Sequence, residues 1–424
     1  MSTQKVLAGA GVGAMVLVVA AAALFNGALG PLLLGIRAEF FVFGLTLLGV
    51  ALLHDRTLEV AVTGLLALVI LKSLTAPDFA LAPHLLEEAP TLVNLLGLLL
   101  GFAVLSGHFE QSLVPRILPR YLPNDWKGAF LLLVIVFVLS SFLDNIAAAM
   151  IGGTVALHVF RRRVDIGYLA AIVAASNAGG SGSVVGDTTT TMMWIEGVPA
   201  VEVLHAYVGA VPALLVFALF AAHRQQAYQP IERDDVGRHR VQRGRLAAVA
   251  LILVGAIGAN VLLNFPAAGV WIAIALTAIF VPTDWSVVPA SLKGALFLLT
   301  LVVCASLMPV ETLPAASWQT AFGLGWISAV FDNIPLTKLA LEQGGYDWGI
   351  LAFAVGFGGS MIWFGSSAGV ALSTMFPEAR YTLQWIRRGW YVPVGYAVGF
   401  FVLLLTYGWN PSSSGCGTAG VCAH

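Results

Sequence analysis

The sequence predicts an all-α polytopic membrane protein, and three observations support this prediction. Residues of the set AVILMFWYC make up 59% of the 424 residues and only 10% are charged, whereas soluble domains carry about 25% charged residues. The mean hydropathy is +0.90. The 45 glycines also fit membrane helices, which tolerate glycine better than soluble helices do. Together these features exclude a soluble enzyme, a secreted disulfide scaffold, a disordered chain and a nucleic-acid-binding protein.

Apolar runs long enough to cross the hydrocarbon core of a bilayer, which takes about 20 residues, recur along the whole chain. The first run, 6–24, follows Lys5 but lacks a small-residue cleavage site before a polar stretch. We therefore expect a retained transmembrane helix there rather than a signal peptide, and about 11 transmembrane helices in all. The runs lie near residues 6–25, 38–53, 57–75, 90–108, 128–160, 166–195, 203–222, 246–263, 267–283, 291–309, 317–343, 347–376 and 390–408.

Two of these runs, 128–160 and 317–343, carry a polar cluster near the middle and are predicted to be re-entrant hairpins. The clusters are Ser140-Ser141-Phe142-Leu143-Asp144-Asn145 and Ser328-Ala329-Val330-Phe331-Asp332-Asn333-Ile334-Pro335. Basic residues flank the first run, at Arg116, Arg120 and Lys127 before it and at Arg161, Arg162 and Arg163 after it. Because Lys and Arg concentrate on the cytoplasmic side of a membrane, both ends of that run are expected to be cytoplasmic.

The orientation of every other segment follows from this first hairpin. Of the 21 Lys and Arg residues, all except Arg37, Lys72 and Lys338 then fall in cytoplasmic segments, as the positive-inside rule requires. The second hairpin begins after Glu311 and enters from the opposite face. The sequence therefore predicts an integral protein of a bacterial inner membrane, with a cytoplasmic N-terminus and an external C-terminus.

The order of segments repeats within the chain. Residues 38–222 and 246–408 each read as three crossings, a hairpin and two further crossings, and an odd number of crossings means that the two copies are inverted. Asp144-Asn145-Ile146 recurs as Asp332-Asn333-Ile334, and Gly179-Gly180-Ser181 with Gly186 recurs as Gly358-Gly359-Ser360 with Gly365. An N-terminal transmembrane segment 1–37, a basic cytoplasmic linker 223–245 and an external tail 409–424 complete the expected organisation. Inverted repeats with interrupted helices are typical of secondary transporters, whose substrates bind near mid-membrane.

Asp144 and Asp332 stand at matching positions of the two hairpins and are the first candidates for an ion site. A carboxylate at membrane depth costs a few kcal/mol unless it is paired, protonated or open to a polar cavity, and such residues commonly mark ion or proton paths. Asp and Asn also cap helices, so Asn145 and Asn333 are expected to serve partly as caps. For the aspartates we favour a transport role, since a buried acid can exchange a proton for a cation.

The runs 166–195 and 347–376 contain Gly-rich stretches and are predicted to be broken helices. Unwound backbone at membrane depth lines a cavity or is buried in protein, and its carbonyls and the nearby hydroxyls are the hard oxygen ligands that suit Na⁺. Asp187 has no carboxylate counterpart in the second copy, where Ser366 stands, so the predicted site is asymmetric. The candidate ion- or substrate-binding residues are Asp144, Asn145, Ser176, Asn177, Ser181, Asp187, Thr188, Thr189, Asp332, Asn333, Ser360, Ser366 and Ser367. The candidate Na⁺ ligands among them are Asp144, Asp187, Thr188 and Asp332.

Lys338 and the cysteines have more than one interpretation. Lys338 follows the second hairpin tip and could neutralise Asp332, pair with a substrate anion, or extend to the outer surface to reach water. Cys304 lies in an apolar run and is expected to be buried. Cys416 and Cys422 could form a disulfide if the tail lies outside the cytoplasm.

With these motifs the chain resembles the NhaD-type Na⁺/H⁺ antiporters of the ion-transporter superfamily, which also includes the arsenite-pump membrane subunit and the divalent-anion/sodium symporters. The resemblance covers residues 38–408 and rests on Leu143-Asp144-Asn145, on the stretch 176–190, on Asp332-Asn333-Ile334-Pro335 and on the stretch 358–369. It implies a homodimer in which a mobile domain, containing both hairpins and both broken helices, moves by an elevator-like step. The chain departs from the family pattern after the first Asp-Asn pair, where Ile146-Ala147-Ala148-Ala149 replace threonines and so remove possible Na⁺ ligands.

The leading hypothesis is a cation/proton antiporter that exchanges Na⁺ or Li⁺ for H⁺ by alternating access. It would need no cofactor, and its partners would be small inorganic ions, the lipid bilayer and a second copy of the chain. The alternative is a Na⁺- or H⁺-coupled transporter of a carboxylate or oxyanion such as citrate or arsenite. An anion site needs a cationic side chain or free helix N-termini, and within the predicted repeats the three acids oppose that interpretation. An intramembrane aspartyl protease is disfavoured, because the first glycine of a Gly-x-Gly-Asp motif is absent before Asp187 and an inverted repeat has no role in proteolysis.

Overall fold

The fold is seen in a computed structural model that describes residues 26–27, 30–33, 36–53, 56–232 and 240–412. The first apolar run, residues 233–239 of the linker and the two cysteines of the tail lie outside the described residues. What the sequence predicts for those segments stays a prediction.

The described part of the chain is almost entirely helical, apart from a small sheet at its beginning. Three short antiparallel strands lie in the order β1 (Asn26–Gly27), β2 (Gly30–Leu33) and β3 (Ile36–Arg37). The helices of the first half are α1 (Ala38–Leu52), α2 (Thr57–Thr75), α3 (Leu81–Gln111), α4 (Val114–Ile117), α5 (Trp126–Ser140), α6 (Asn145–Val159), α7 (Ile166–Ser181), α8 (Thr188–Ile195), α9 (Ala200–Leu204) and α10 (Ala206–Tyr228). The helices of the second half are α11 (Arg243–Leu263), α12 (Pro266–Ala278), α13 (Val287–Ser306), α14 (Trp318–Ser328), α15 (Asn333–Gln343), α16 (Trp348–Gly358), α17 (Ser367–Met375), α18 (Thr382–Arg388) and α19 (Tyr391–Tyr407). Short 3₁₀ turns lie at Leu118–Tyr121, Val310–Thr312 and Pro377–Arg380.

Among the described residues, five helical segments are long and apolar enough to cross a membrane: α2, α3, α9 continuous with α10, α11 and α13. A sixth candidate is the pair α18 and α19, which bends by 58°. The apolar helices α1, α5, α6, α12 and α16 are shorter, with 10–17 residues each. This set confirms an all-α polytopic membrane protein.

Helix α3 is longer than its apolar run indicates. It has 31 residues and continues through Pro90, whereas the hydropathy pattern predicts a helix only over 90–108. The added N-terminal turns include Glu87 and Glu88, which interrupt the apolar pattern. Glu88 lies 3.0 Å from the Lys338 ammonium group, so a partner that is remote in sequence stabilises its charge.

Each predicted hairpin is a pair of helices whose outer ends lie together. In the first hairpin, residues 141–144 separate α5 from α6. Trp126 at the start of α5 stacks on His223 with ring centroids 4.2 Å apart, and the carbonyl of Val159 accepts a hydrogen bond of 2.9 Å from the Glu232 amide. Because His223 and Glu232 both lie near the C-terminal end of α10, the segment returns to the end of the molecule at which it begins.

The second hairpin has the same form. Residues 329–332 separate α14 from α15. The side-chain amide of Gln343, the last residue of α15, donates a 2.7 Å hydrogen bond to the carbonyl of Pro314, just before α14. The entry and exit of this segment therefore also lie side by side.

The two Gly-rich runs are interrupted helices, as predicted. Residues 182–187 separate α7 from α8, and residues 359–366 separate α16 from α17. At the end of α7 the carbonyl of Phe137 occupies the position where a side chain on Gly179 would begin. The carbonyl of Gly325 does the same at Gly358. Each hairpin thus packs backbone to backbone against a broken helix, which only glycine permits.

Helix pairing follows one pattern in both halves of the chain. Helix α5 packs on α7 as α14 packs on α16, and α6 packs on α17 as α15 packs on α8. Helix α10 packs on α19. If the helices of one half are exchanged with their counterparts in the other half, the first four pairs convert into one another and the pair α10–α19 converts into itself.

Two groups of polar contacts mark opposite ends of the bundle, separated by the 23 residues of α10, or about 35 Å of helix. The first group contains Arg161 with Glu232, Arg388 with Asp165, and the Gln242 amide with the Ser112 carbonyl. The second contains Lys338 with Glu88, Ser412 with Glu202, and the Asn410 amide with Asp347. Basic residues that the positive-inside rule assigns to the cytoplasm thus meet at one end.

Candidate functional site

A cavity of about 590 Å³ lies where the two hairpin tips and the two helix breaks converge. The candidate residues that line it are Asp144, Asn145, Asp187, Thr188, Asp332, Asn333 and Ser367. All four candidate Na⁺ ligands are among them. The opposite wall consists mainly of apolar residues of α1, α3 and α13, so the cavity lies between the broken-helix group and these three helices.

Asp144 and Asp332 are the N-cap residues of α6 and α15, the second helices of the two hairpins. One carboxylate oxygen of Asp332 accepts the Ile334 amide hydrogen bond at 3.0 Å, and the other accepts the Ser367 hydroxyl at 3.3 Å. Capping and cavity lining are therefore compatible in one side chain. At both positions the positive end of a helix dipole partly offsets the charge of a carboxylate.

Asp187 is the N-cap residue of α8 and is 2% exposed. Its Oδ1 accepts the Thr189 amide at 3.0 Å, whereas its Oδ2 has no hydrogen-bond partner among the described residues. The hydroxyls of Thr190 and Thr191 donate to the Asp187 carbonyl at 2.9 and 2.8 Å. These two hydrogen bonds stabilise the turn, and Thr191 also lines the cavity.

Asn145, Asn177 and Ser360 form a buried chain of hydrogen bonds. The Asn145 amide donates to Asn177 Oδ1 at 3.1 Å, and the Asn177 amide donates to Ser360 Oγ at 3.0 Å. This chain joins a hairpin tip to both broken helices. Asn177 and Ser360 do not line the cavity; they hold Asn145, which does.

Four other candidates do not line the cavity. The hydroxyls of Ser176 and Ser181 donate to carbonyls three residues earlier in α7, each at 2.9 Å. Ser366 accepts an amide hydrogen bond as the N-cap of α17. Thr189 is fully buried. Their sequence spacing places these four residues near the site, but they are not among the residues that line the cavity.

Lys338 neither neutralises Asp332 nor reaches the surface. It is 2% exposed, and its Nζ lies 3.0 Å from Glu88, 3.1 Å from Glu196 and 2.7 Å from Glu342. Three carboxylates thus surround one ammonium group away from the cavity. This arrangement contradicts both functional interpretations of Lys338. It is neither the partner of Asp332 nor an anion ligand of the cavity.

Glu110 is a fourth acid that lines the cavity, and it is not among the residues predicted from the sequence. Glu110 lies near the C-terminal end of α3, before a basic loop, where an acidic residue is ordinary in a solvated helix end. Ser106 also lines the cavity, and residues four apart share a helix face. Two polar residues spaced four apart on an apolar helix could have indicated in the sequence that this face of α3 lines a polar cavity.

Comparison with known proteins gives no match to a protein-family model. Sodium/proton antiporter 1 of Arabidopsis thaliana is 26% identical over 87% of this chain and 72% of the plant protein. The Na⁺/H⁺ antiporter NhaD of Vibrio cholerae is 26% identical over 77% of this chain and 80% of its own length. The NhaD antiporter of Vibrio parahaemolyticus is 26% identical over 58% of this chain and 72% of its own length. The similarity to NhaD-type antiporters that the motifs indicate is thereby confirmed.

Proposed function

We propose that this protein, whose curated relatives are sodium/proton antiporters, is a secondary transporter that exchanges Na⁺ or Li⁺ for H⁺ by alternating access. The observation that supports this most strongly is that Asp144, Asp187 and Asp332 line one cavity. No Lys or Arg stands among the cavity-lining residues of the described chain. A cavity with this charge attracts cations and repels anions.

Exchange follows from the chemistry of these carboxylates. Each carboxylate binds either a proton or a metal cation, so occupation by one displaces the other. Carboxylate, hydroxyl and amide oxygens are the ligands that hard cations prefer, and Ser367, Thr188 and Asn145 present such oxygens in the same cavity. The site therefore releases protons when it takes up a cation.

Transport of citrate, another carboxylate or arsenite is not favoured. Lys338, which could have bound an anion, is surrounded by three glutamates and lies outside the cavity. An anion entering the cavity would meet four acids, Asp144, Asp187, Asp332 and Glu110, without a compensating cationic side chain from the described residues.

The proposal extends to the architecture. The exchange of helix pairs between halves supports inverted repeats over 38–222 and 246–408, joined by the linker 223–245 and flanked by 1–37 and 409–424, with about 11 crossings. The position of the cavity between the broken-helix group and α1, α3 and α13 supports an elevator-like movement of that group against these helices. A homodimer in a bacterial inner membrane, with the N-terminus cytoplasmic, completes the proposal.

Transport by purified protein in liposomes tests this function. A pH-sensitive dye is enclosed, and Na⁺, Li⁺, K⁺, citrate, succinate and arsenite are offered in turn. We expect Na⁺ or Li⁺ gradients to move protons and the anions to move none. Uptake of a carboxylate or of arsenite without any cation-driven proton movement would show that the anion alternative is correct.

A further inference from the structure

Glu110 is the most accessible of the four acids that line the cavity. Asp187 is 2% exposed, Asp144 and Asp332 are partly buried, and Glu110 is exposed. No hydrogen bond or ion pair joins the Glu110 side chain to another residue of the described chain. Its charge therefore acts on ions in the water beside it rather than on a protein partner.

The cavity extends toward one end of the bundle, and Glu110 lies at that end. The residues of α3 that line the cavity fall between positions 95 and 110, about 22 Å of helix, and those of α13 fall in its first part, 287–298. Two residues after Glu110, the Ser112 carbonyl accepts the Gln242 amide hydrogen bond, one of the contacts that mark the arginine-rich end of the bundle. Glu110 is thus an exposed acid at the mouth of the cavity, on the side that the positive-inside rule assigns to the cytoplasm.

A basic residue near this end of α3 does not neutralise Glu110. The Arg245 guanidinium lies 3.5 Å from the His108 ring and donates a 3.0 Å hydrogen bond to the Pro282 carbonyl. Residues two apart on a helix do not face each other, so Arg245 and Glu110 lie on different faces of α3. A negative charge at the mouth of a low-dielectric cleft raises the local concentration of cations.

We propose that Glu110 is a positioning residue that collects cations at the cytoplasmic mouth of the cavity before they reach the three aspartates. This inference rests on the proposed function. In alternating access the site is open to one face of the membrane at a time, so a charge at one mouth should affect only cations that arrive from that face. Because the carboxylate acts through its electric field, dissolved salt should screen its effect.

The substitution Glu110→Gln tests the inference in membrane vesicles through the initial rate of cation-driven pH change. In inverted vesicles, whose cytoplasmic face is outside, we expect the apparent KM for Na⁺ or Li⁺ to rise about threefold at low ionic strength, the effect of one charge about 6 Å from the path of the ion in water. In right-side-out vesicles the KM should stay at the wild-type value. Choline chloride at about 0.5 M, where the screening length is about 4 Å, should remove most of the difference.

Two further variants serve as controls. Glu110→Asp keeps the charge and should keep the wild-type KM. Glu378→Gln makes the same chemical change at an exposed acid that does not line the cavity and lies just before α18, whose last residue Arg388 pairs with Asp165 at the same end of the bundle. Its KM should equal that of the wild type on both faces.

The wild-type protein gives a second measurement that needs no variant, since its KM should rise with ionic strength more steeply for cytoplasmic than for external cation. With wild-type exchange intact, a Glu110→Gln KM that is unchanged on the cytoplasmic face, raised equally on both faces or still raised at high salt overturns this inference and leaves the antiporter proposal standing. Equal salt dependence on the two faces of the wild type overturns it as well. Absence of cation-driven proton movement in the wild type overturns the antiporter proposal and this inference with it.

Discussion

At the residue scale, a carboxylate at a hairpin tip has two tasks that can be separated by mutation. One oxygen of Asp332 caps α15, and the other faces the Ser367 hydroxyl at the cavity. An amide retains an oxygen that accepts the capping hydrogen bond, but it does not bind and release a proton near neutral pH.

We therefore expect Asp144→Asn and Asp332→Asn each to reduce cation-driven proton movement to the level of protein-free liposomes while the protein stays folded. The measurement is the initial rate of the internal pH change, with size-exclusion elution as the folding check. Asp284→Asn is the control, because it makes the same chemical change at an exposed acid outside the cavity. If either variant keeps full exchange with unchanged pH dependence, that aspartate caps its helix and has no role in proton coupling.

At the scale of elements, Lys338 connects three parts of the chain that are distant in sequence. Its ammonium group contacts Glu88 on α3, Glu196 directly after α8 and Glu342 on α15. The glutamate side chains are only 14–23% exposed. Removing the cation would leave three neighbouring carboxylates with little water to stabilise them.

Lys338→Met should therefore lower the free energy of unfolding by roughly 2–3 kcal/mol, somewhat less than the full cost of breaking a buried ion pair because the glutamates keep some water. Thermal unfolding in detergent, followed by tryptophan fluorescence, measures the change as a lower Tm. Lys293→Met on α13 removes an exposed lysine and should leave Tm nearly unchanged. Equal Tm values for the two variants would mean that the Lys338 cluster contributes nothing to stability.

At the scale of the whole molecule, the arrangement of charges predicts the orientation in the membrane. The contacts of Arg161 and Arg388 lie at one end of the bundle and those of Lys338 at the other. Positive residues favour the cytoplasmic side.

Single cysteines at positions 120, 162 and 240, in a background without native cysteines, should react with an impermeant thiol reagent only from the cytoplasmic side. Cysteines at positions 311 and 344 should react only from outside. Labelling of right-side-out and inverted vesicles shows from which face each cysteine is accessible. Labelling of the same variants in lysed vesicles is the control that each cysteine can react. Labelling of 120 and 162 from opposite faces would make 128–160 a crossing, and the inverted-repeat proposal would fail.

The class of the protein and the positions of its unusual residues can be predicted from the amino-acid sequence without a structure. Low charge and long apolar runs identify a membrane protein, because about twenty consecutive apolar residues avoid water only in a bilayer or in a large protein core. The acids Asp144 and Asp332 were found because a carboxylate in an apolar run is costly and the same motif occurs twice. Chain breaks at the Gly-rich stretches were equally visible, since glycine weakens a helix wherever it is placed.

Helix packing, which the sequence does not reveal, brings some of these residues together in one cavity and pairs the oxygens of others. Ser176 and Thr188 look equally suitable in the sequence, yet one hydroxyl bonds to its own helix and the other residue lines the cavity. Glu110 and Lys338 are ordinary residues until packing places one at the cavity and the other among three glutamates. Partners distant along the chain meet only through the packing of whole helices, and local sequence does not encode the distance between two side chains on different helices.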